Sequence, residues 1–143
     1  MFGLLMAIVA GAAMSIQGVM NTRLGEQIGL MESNAFVQCT AALLSLAALA
    51  VYRTGSFAEI GGVNKLYLFG GVLGLVITVT VMLGMRGLGP TVAVSVILIS
   101  QLTVAAVIDA FGLMGSEKLA FGWTKFVGLG LMIGGVVLFK LQK

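Results

Sequence analysis

Residues 66–111 read LYLFGGVLGLVITVTVMLGMRGLGPTVAVSVILISQLTVAAVIDAF, and this stretch decides the fold. It holds two long apolar runs, in which the only charged residues are Arg86 and Asp109. A helix needs about 20 consecutive apolar residues to cross a bilayer, so each run is long enough. The turn GLGP separates the runs, and Pro90, which lacks a backbone N–H, fits the first turn of a helix. The stretch predicts two transmembrane helices joined as a tight antiparallel hairpin.

The rest of the chain continues this pattern. Apolar residues make up 59% of the 143 residues and charged residues only 9%, whereas soluble domains carry about 25% charge. A chain with so little charge cannot cover a globule with polar surface, so its solvent must be lipid. No cleaved signal peptide is expected, because the N-terminus lacks a basic region. We predict an all-α integral membrane protein, a single transmembrane domain over residues 1–143, with five spans: Phe2–Met20, Asn34–Val51, Leu66–Met85, Thr91–Phe111 and Phe121–Phe139.

Basic residues divide evenly between the two sides of a five-span chain. Orientation normally follows an excess of Lys and Arg on one side. Here there is none, because four lie on the side of the N-terminus and four on the other: Arg53, Lys65, Lys118 and Lys125 against Arg23, Arg86, Lys140 and Lys143. Either another feature sets the topology, or the chain inserts both ways and forms an antiparallel homodimer. The second alternative gives the inverted-repeat geometry of many transporters.

Several classes of function conflict with the composition. The chain has no histidine, which is the commonest general base and metal ligand, and only one cysteine. It contains no His/Cys metal spacing, no Ser/His pairing and no P-loop. The net charge of +3 is scattered rather than gathered on a basic face. We therefore expect no enzyme, catalytic residue, metal, cofactor or nucleic-acid partner; the basic residues are expected to meet the headgroups of the lipid bilayer.

Polar side chains within or at the ends of the predicted spans form the candidate site. An unsatisfied amide in hydrocarbon costs several kcal/mol, so these groups either bond one another between helices or face a wet cavity. Three spans each carry a long amide, which favours a cavity. Asp109 is the one carboxylate inside a span, near its end, where it can reach headgroups, pair with Arg23 or Arg86, or carry a coupling proton. The candidate substrate-binding residues are Gln17, Asn21, Gln38, Ser100, Gln101 and Asp109.

Glycines in the last span indicate a packing surface. The segment GLGLMIGGVVL, residues 128–138, places glycines four and seven residues apart, and small residues at such spacings let helices approach closely in lipid. They form either a dimer seam or a packing surface within the subunit, and we favour the seam: Gly128, Gly130, Gly134 and Gly135. At the other end of the chain, Arg23 and Gly25 are interpreted as the wet end and turn glycine that close the first helix.

Two stretches carry a family resemblance. AGAAMSIQGVMNTRLGEQIG, residues 10–29, and residues 70–115, with their Gln and Asp-x-Phe-Gly ending, resemble the YdcZ-like proteins of the drug/metabolite transporter superfamily. The similarity runs from Ala10 to Leu138 and implies a five-helix exporter of the bacterial inner membrane. GLGLMIGGV is similar to the dimerising last helix of the small multidrug resistance exporters, which are dual-topology dimers. Those exporters carry a glutamate in helix one, where this chain has Gln17.

Together these observations predict an exporter that works by alternating access at the interface of an antiparallel homodimer, or of a dimer with a paralogous subunit. Because Gln17 lies in the region where those exporters carry the glutamate, this chain departs from their proton-coupled export of cations. Recognition by amides without a buried charge predicts a small neutral or zwitterionic organic metabolite. Two alternatives remain open: a passive channel with the same fold, and an accessory membrane subunit that transports nothing.

Overall fold

The computed structural model describes residues 1–118 and 122–141, which contain helices and no strand. Short 3₁₀ helices cover Phe57–Gly62, Lys65–Phe69 and Leu113–Gly115. Counting Lys65–Phe69 with the helix that follows it, five helical segments of the described chain are long and apolar enough to cross a membrane. The predicted all-α, five-span architecture is thereby confirmed for these residues. The α-helices are α1 Phe2–Ile28, α2 Leu30–Val51, α3 Gly70–Leu88, α4 Pro90–Phe111 and α5 Trp123–Leu141.

The region between the first two spans corrects the sequence interpretation. The sequence predicts that Arg23 and the turn glycine Gly25 close the first helix, but Gly25 lies inside α1, and only Gly29 separates α1 from α2. The drop in hydropathy near Arg23 marks the edge of the membrane and not the end of a helix. At 1.5 Å per residue, the 27 residues of α1 reach about 40 Å, beyond the ~30 Å hydrocarbon core.

Gly29 makes this one-residue connection possible. Its φ of 107° is a backbone conformation that glycine adopts readily and other residues avoid. Its N–H donates to the Gly25 carbonyl at 3.2 Å, and its carbonyl accepts from the Ser33 N–H at 3.0 Å. One residue therefore closes α1 and opens α2. Gly89, at φ 79°, likewise precedes Pro90, which occupies the start of α4 as the GLGP turn predicted.

The other helix bounds lie within a few residues of the predicted ones. α4 matches its predicted span to one residue, and α3 ends at Leu88 instead of Met85. The predicted start of the last span, Phe121, and Lys143 of the charge count lie outside the described residues.

The described chain divides into two compact units, Met1–Gly87 and Leu88–Lys143. In the first unit α1 packs against α2, and α1 meets α3 at Gly18, where an added Cβ would lie 2.5 Å from Met85 Cε. Met82, only 1% exposed, fills the space beside Gly25 and Ser33. In the second unit α4 packs against α5. The single-domain description of residues 1–143 stays a prediction.

Candidate functional site

Uncharged polar side chains are buried where α1, α2 and α3 pack together. Ser33 Oγ donates to the Asn21 backbone carbonyl at 3.2 Å and lies 3.8 Å from Met82 Sδ. Thr22 Oγ1 donates to the Gly18 carbonyl at 2.7 Å. The two buried hydroxyls are thus satisfied inside the protein: Ser33 joins α2 to α1 without any charge, whereas Thr22 bonds within α1. The buried polar residues of this region are Asn21, Thr22, Ser33 and Asn34.

Asn34 differs from its neighbours because its side-chain oxygen is unpaired. The residue is 5% exposed, and its Oδ1 is buried with no hydrogen-bond partner among residues 1–118 and 122–141. Most buried polar groups are paired, and leaving one unpaired costs about 1–3 kcal/mol. The Asn34 oxygen is therefore an acceptor without a donor among the described residues, which water or a bound molecule could supply by entering this region.

Two further amides extend this region by one helical turn. Gln38 follows Asn34 by four residues on α2, and it is half-buried. A Cβ added to Gly74 of α3 would lie 3.5 Å from Gln38 Nε2, so Gln38 rests over the open face of that glycine. Gln17 precedes Asn21 by four residues on α1 and is exposed. We call these four residues the amide cluster: Gln17, Asn21, Asn34 and Gln38.

Hydroxyl groups elsewhere in the helices mark no site of their own. Ser45 Oγ donates to the Ala41 carbonyl at 2.7 Å, and Thr103 Oγ1 donates to the Ile99 carbonyl at 2.7 Å. Such bonds return the hydroxyl to its own helix backbone and satisfy it locally in lipid. The amides, which do not make these bonds, carry the information about a ligand.

The second unit contains a cavity of about 240 Å³ between α4 and α5. Each helix contributes four residues at the spacing i, i+3, i+4, i+7, which describes one helix face. Because α4 and α5 are neighbours joined by residues 112–122, the last turn of α4 and the first turn of α5 meet at the same end of the cavity. The lining residues are Leu102, Ala105, Ala106 and Asp109 from α4, and Lys125, Gly128, Leu129 and Met132 from α5.

The two charges at this end oppose the dipoles of their own helices. Asp109 lies in the last turn of α4, where the helix dipole disfavours an anion, and Lys125 lies in the first turn of α5, where it disfavours a cation. Each placement costs about 0.3–1 kcal/mol by itself. Across the cavity the relation reverses, because each charge faces a helix end of opposite sign. The helix ends across the cavity therefore favour both charges.

The structure places the predicted site residues in two separate groups. Gln17, Asn21 and Gln38 belong to the first unit, where Asn21 is buried and Gln38 half-buried. In the second unit Asp109 lines the cavity, whereas Ser100 and Gln101 are exposed and do not line it. Convergence of amides from three spans on one cavity stays a prediction. Of the two arginines considered for Asp109, Arg23 has a partner on its own helix, with Nη1 3.0 Å from Glu26 Oε2.

Sequence reasoning missed Ser33, Asn34 and Lys125. Asn34 was treated as the first residue of a span, although its four-residue spacing from Gln38 repeats the spacing of Gln17 and Asn21. Lys125 was counted only as a topology charge, although it stands three, four and seven residues before cavity-lining positions. Both signals are spacings, which become informative once the neighbouring helix face is known.

The glycines of α5 are open within their unit. A Cβ added to any of the four proposed seam glycines would meet no atom of the second unit's described residues within 4 Å: Gly128, Gly130, Gly134 and Gly135. No residue of α5 is buried within the described structure. At about 100° per residue these glycines fall on two sides of α5, with Gly128 and Gly135 on one side and Gly130 and Gly134 on the other. Gly128 lines the cavity that faces α4. For Gly130 and Gly134, packing among the unit's described residues gives no reason for the absence of a side chain.

Five helices long and apolar enough to cross a bilayer, two of which carry buried polar side chains, fit a multi-pass membrane protein. Comparison with known families matches residues 2–138 to the family described as "Putative inner membrane exporter, YdcZ". Because the match covers nearly the whole chain, the protein belongs to the YdcZ family and is a multi-pass protein of the bacterial inner membrane. The chain matches no curated protein and no solved structure.

Proposed function

We propose that this exporter works as an antiparallel homodimer that moves a small neutral or zwitterionic organic metabolite by alternating access. The observation that carries the proposal is the buried, unpaired Asn34 oxygen within the amide cluster. An exporter needs groups that bind its cargo inside the bilayer. The Asn34 oxygen, which has no hydrogen-bond donor among the described residues, can serve as such a group.

The chemistry of the amide cluster supports an uncharged or charge-balanced cargo. A carboxamide both donates and accepts, so it can bind hydroxyl, amide or carbonyl groups without a net charge of its own. The acidic side chains of α1 and α2, Glu26 and Glu32, are both exposed beside the Gly29 connection. A cation held only by amides would keep an uncompensated charge in low dielectric, which is costly. We assign the chain no chemical reaction, metal or cofactor.

Three observations support the antiparallel homodimer. Lys and Arg divide four to four between the two sides of the bilayer, which gives neither orientation an advantage. A Cβ added to the seam glycines of α5 would meet no described residue within 4 Å. No more than 11% of any spanning window is buried within the described subunit, leaving broad apolar faces for lipid or a second copy. A paralogous subunit in place of the second copy is an outcome that the orientation experiment below distinguishes.

The first test replaces the unpaired amide by an apolar group of similar shape. Asn34→Leu should reduce export at least tenfold while leaving the unfolding free energy unchanged or raised by about 1 kcal/mol, because an unpaired acceptor is removed. Export is measured as the identity and amount of each metabolite that cells overproducing the protein release into the medium. Gln27→Leu, an exposed amide on α1, is the matched control and should release the wild-type set.

The second test locks the orientation. Gly55, Gly61 and Gly62 have no neighbour within 4 Å of an added Cβ, so replacing all three by lysine adds charge to the N-terminal side without a clash. Three lysines appended after Lys143 add charge to the opposite side. Each variant alone should take one orientation and lose export, and co-expression of the two should restore it. Full export by either variant alone would exclude the antiparallel homodimer.

The same cells separate an exporter from a passive channel. Release by alternating access saturates as the internal metabolite concentration rises, because each cycle carries a bound molecule. Release through an open pore rises in proportion to concentration. Linear release that Asn34→Leu does not alter would favour the channel.

A further inference from the structure

We propose that the cavity between α4 and α5 is a binding site for a zwitterionic amphiphile, with an ammonium group at Asp109, an anionic group at Lys125 and an aliphatic tail along the apolar lining. The inference concerns binding at equilibrium and does not rest on the export mechanism proposed above.

The order of residues along the cavity supports this ligand class. Asp109 and Lys125 lie at the end where α4 finishes and α5 starts, and apolar side chains line the remainder: Leu102, Ala105, Ala106, Leu129 and Met132. A ligand that fits this order has its charges at one end and a hydrocarbon portion at the other. An ion without a tail would leave the apolar lining uncovered, and an apolar molecule would place hydrocarbon against the charged end of the cavity.

Charge balance supports a zwitterion over a simple ion. The two side chains sum to zero, so a ligand of zero net charge keeps the cavity neutral, whereas a single ion would leave one unit of charge in a region of low dielectric. The helix ends act in the same sense. The negative end of the α4 dipole and Asp109 both favour an ammonium, and the positive end of the α5 dipole and Lys125 both favour an anion.

The size of the cavity limits the ligand. Drug-sized molecules occupy pockets of roughly 300–1,000 Å³, and about 240 Å³ is available here. That space suits a free aliphatic amino acid of the size of leucine. It also suits the headgroup and first methylene groups of phosphatidylethanolamine, whose ammonium and phosphate supply the same two charges. Asp109 lies in the last turn of α4, where a transmembrane helix reaches the lipid headgroups.

The experiment measures binding of radiolabelled L-leucine to the full-length protein in lipid-free detergent. Two analogues serve as competitors, 4-methylpentanoate, which lacks the ammonium, and isopentylamine, which lacks the carboxylate. Each should compete at least tenfold more weakly than unlabelled leucine. Asp109→Asn and Lys125→Gln should each weaken leucine binding at least tenfold. Equal competition by the analogues, or unchanged binding in both variants, would overturn the proposal.

A double variant guards against loss of binding through misfolding. Asp109→Lys combined with Lys125→Asp exchanges the two charges and keeps the cavity neutral. A ligand that keeps its tail in the apolar part and exchanges the positions of its ammonium and anionic groups should recover binding to within about threefold of wild type. Ala105→Phe fills the cavity with both charges in place and should abolish binding. A charge-exchange variant that elutes as folded protein yet binds no better than the single variants would also count against the zwitterion site.

The source of the ligand is resolved by native mass spectrometry of protein extracted with its lipids. If the headgroup is the occupant, wild type should retain phosphatidylethanolamine that Asp109→Asn loses, and this lipid should displace leucine. If a free amino acid is the occupant, both proteins should retain the lipid equally while leucine binding still depends on Asp109. Failure of both arms rejects the site, whatever the outcome of the Asn34→Leu export test.

Discussion

The interior of the first unit and the cavity of the second handle polarity in opposite ways. Between α1, α2 and α3 the buried polar groups are neutral, and the hydroxyls of Thr22 and Ser33 bond to backbone carbonyls. Between α4 and α5 the polar groups are charged, yet Asp109 and Lys125 stay half-buried at the helix ends. The same chain therefore keeps amides and hydroxyls inside and charges at the rim.

The free energy of desolvation explains this difference. Burying an amide or hydroxyl that keeps a hydrogen bond costs little, whereas burying an isolated charge costs far more. The first unit can therefore bury its hydroxyls, with Ser33 beside Met82, and the unpaired Asn34 oxygen is the exception in its interior. The second unit keeps its charges where water or a ligand can reach them, so a cavity remains. The first unit thus buries neutral polar groups among packed helices, and the second keeps a cavity beside its charged groups.

The largest difference in unfolding free energy between the two units is expected when a glycine in each is replaced by leucine. Gly18→Leu should lower the unfolding free energy by about 1–3 kcal/mol or prevent folding, because the new side chain enters space that Met85 and Val81 fill. Gly128→Leu in the second unit should leave the unfolding free energy of the subunit within about 0.5 kcal/mol of wild type, because an added Cβ at this cavity-lining position has no neighbour within 4 Å among the described residues. Both are measured by SDS titration of purified protein.

Gly11 provides the matched control on α1, since an added Cβ there has no neighbour within 4 Å. Gly11→Leu should behave like Gly128→Leu. A loss for Gly11→Leu as large as that for Gly18→Leu would indicate a general effect of leucine in α1 and not a packing effect at Met85.

An intermediate effect is expected from the hydrogen bond that joins α1 and α2. Ser33→Ala removes the donor to the Asn21 carbonyl and should lower the unfolding free energy by about 1 kcal/mol. Ser45→Ala is the control, because its hydroxyl bonds to its own helix at the Ala41 carbonyl, and the change should stay below about 0.5 kcal/mol. Equal losses would mean that the bond between helices contributes nothing beyond side-chain volume.

The smallest effect is expected at the exposed edge of the first unit. Arg23→Gln breaks the exposed ion pair with Glu26 and should change the unfolding free energy by less than about 0.5 kcal/mol. It also changes the count of Lys and Arg from four against four to four against three. Reporter enzymes fused to the C-terminus should show a modest shift towards chains whose N-terminus is cytoplasmic. An unaltered ratio of the two orientations would show that the balance of Lys and Arg does not set the orientation of this chain.

Most of the helical architecture could be predicted because hydropathy and turn residues are local signals. The GLGP turn fixed the start of α4 to one residue, since Pro90 can only begin a helix there. The continuation of α1 to Ile28 could not be predicted in this way, because leaving the membrane and leaving the helix lower the hydropathy alike. Gly25 was interpreted as a turn for this reason, although it is a packing position beside Met82.

The candidate site was predictable by residue type and less so by burial. The spacing of Gln17 and Asn21 identified a helix face, but the sequence does not tell which of the two is buried, and the structure buries Asn21 and exposes Gln17. The unpaired state of the Asn34 oxygen depends on what α1 and α3 place around it. Burial and hydrogen-bond pairing depend on contacts between helices, and the residue spacing within one helix does not reveal those contacts.

Gly29 limits how the first two helices can move during transport. Sliding one helix past another by a turn needs about 5.4 Å of slack, and a single residue spans at most about 3.6 Å even when fully extended. Gly29 is already committed on both sides, since its N–H and carbonyl bond to Gly25 and Ser33. We therefore expect α1 and α2 to move as one rigid body, with no hinge at Gly29. A rotation of this pair would move Asn21 and Asn34 together across the membrane plane.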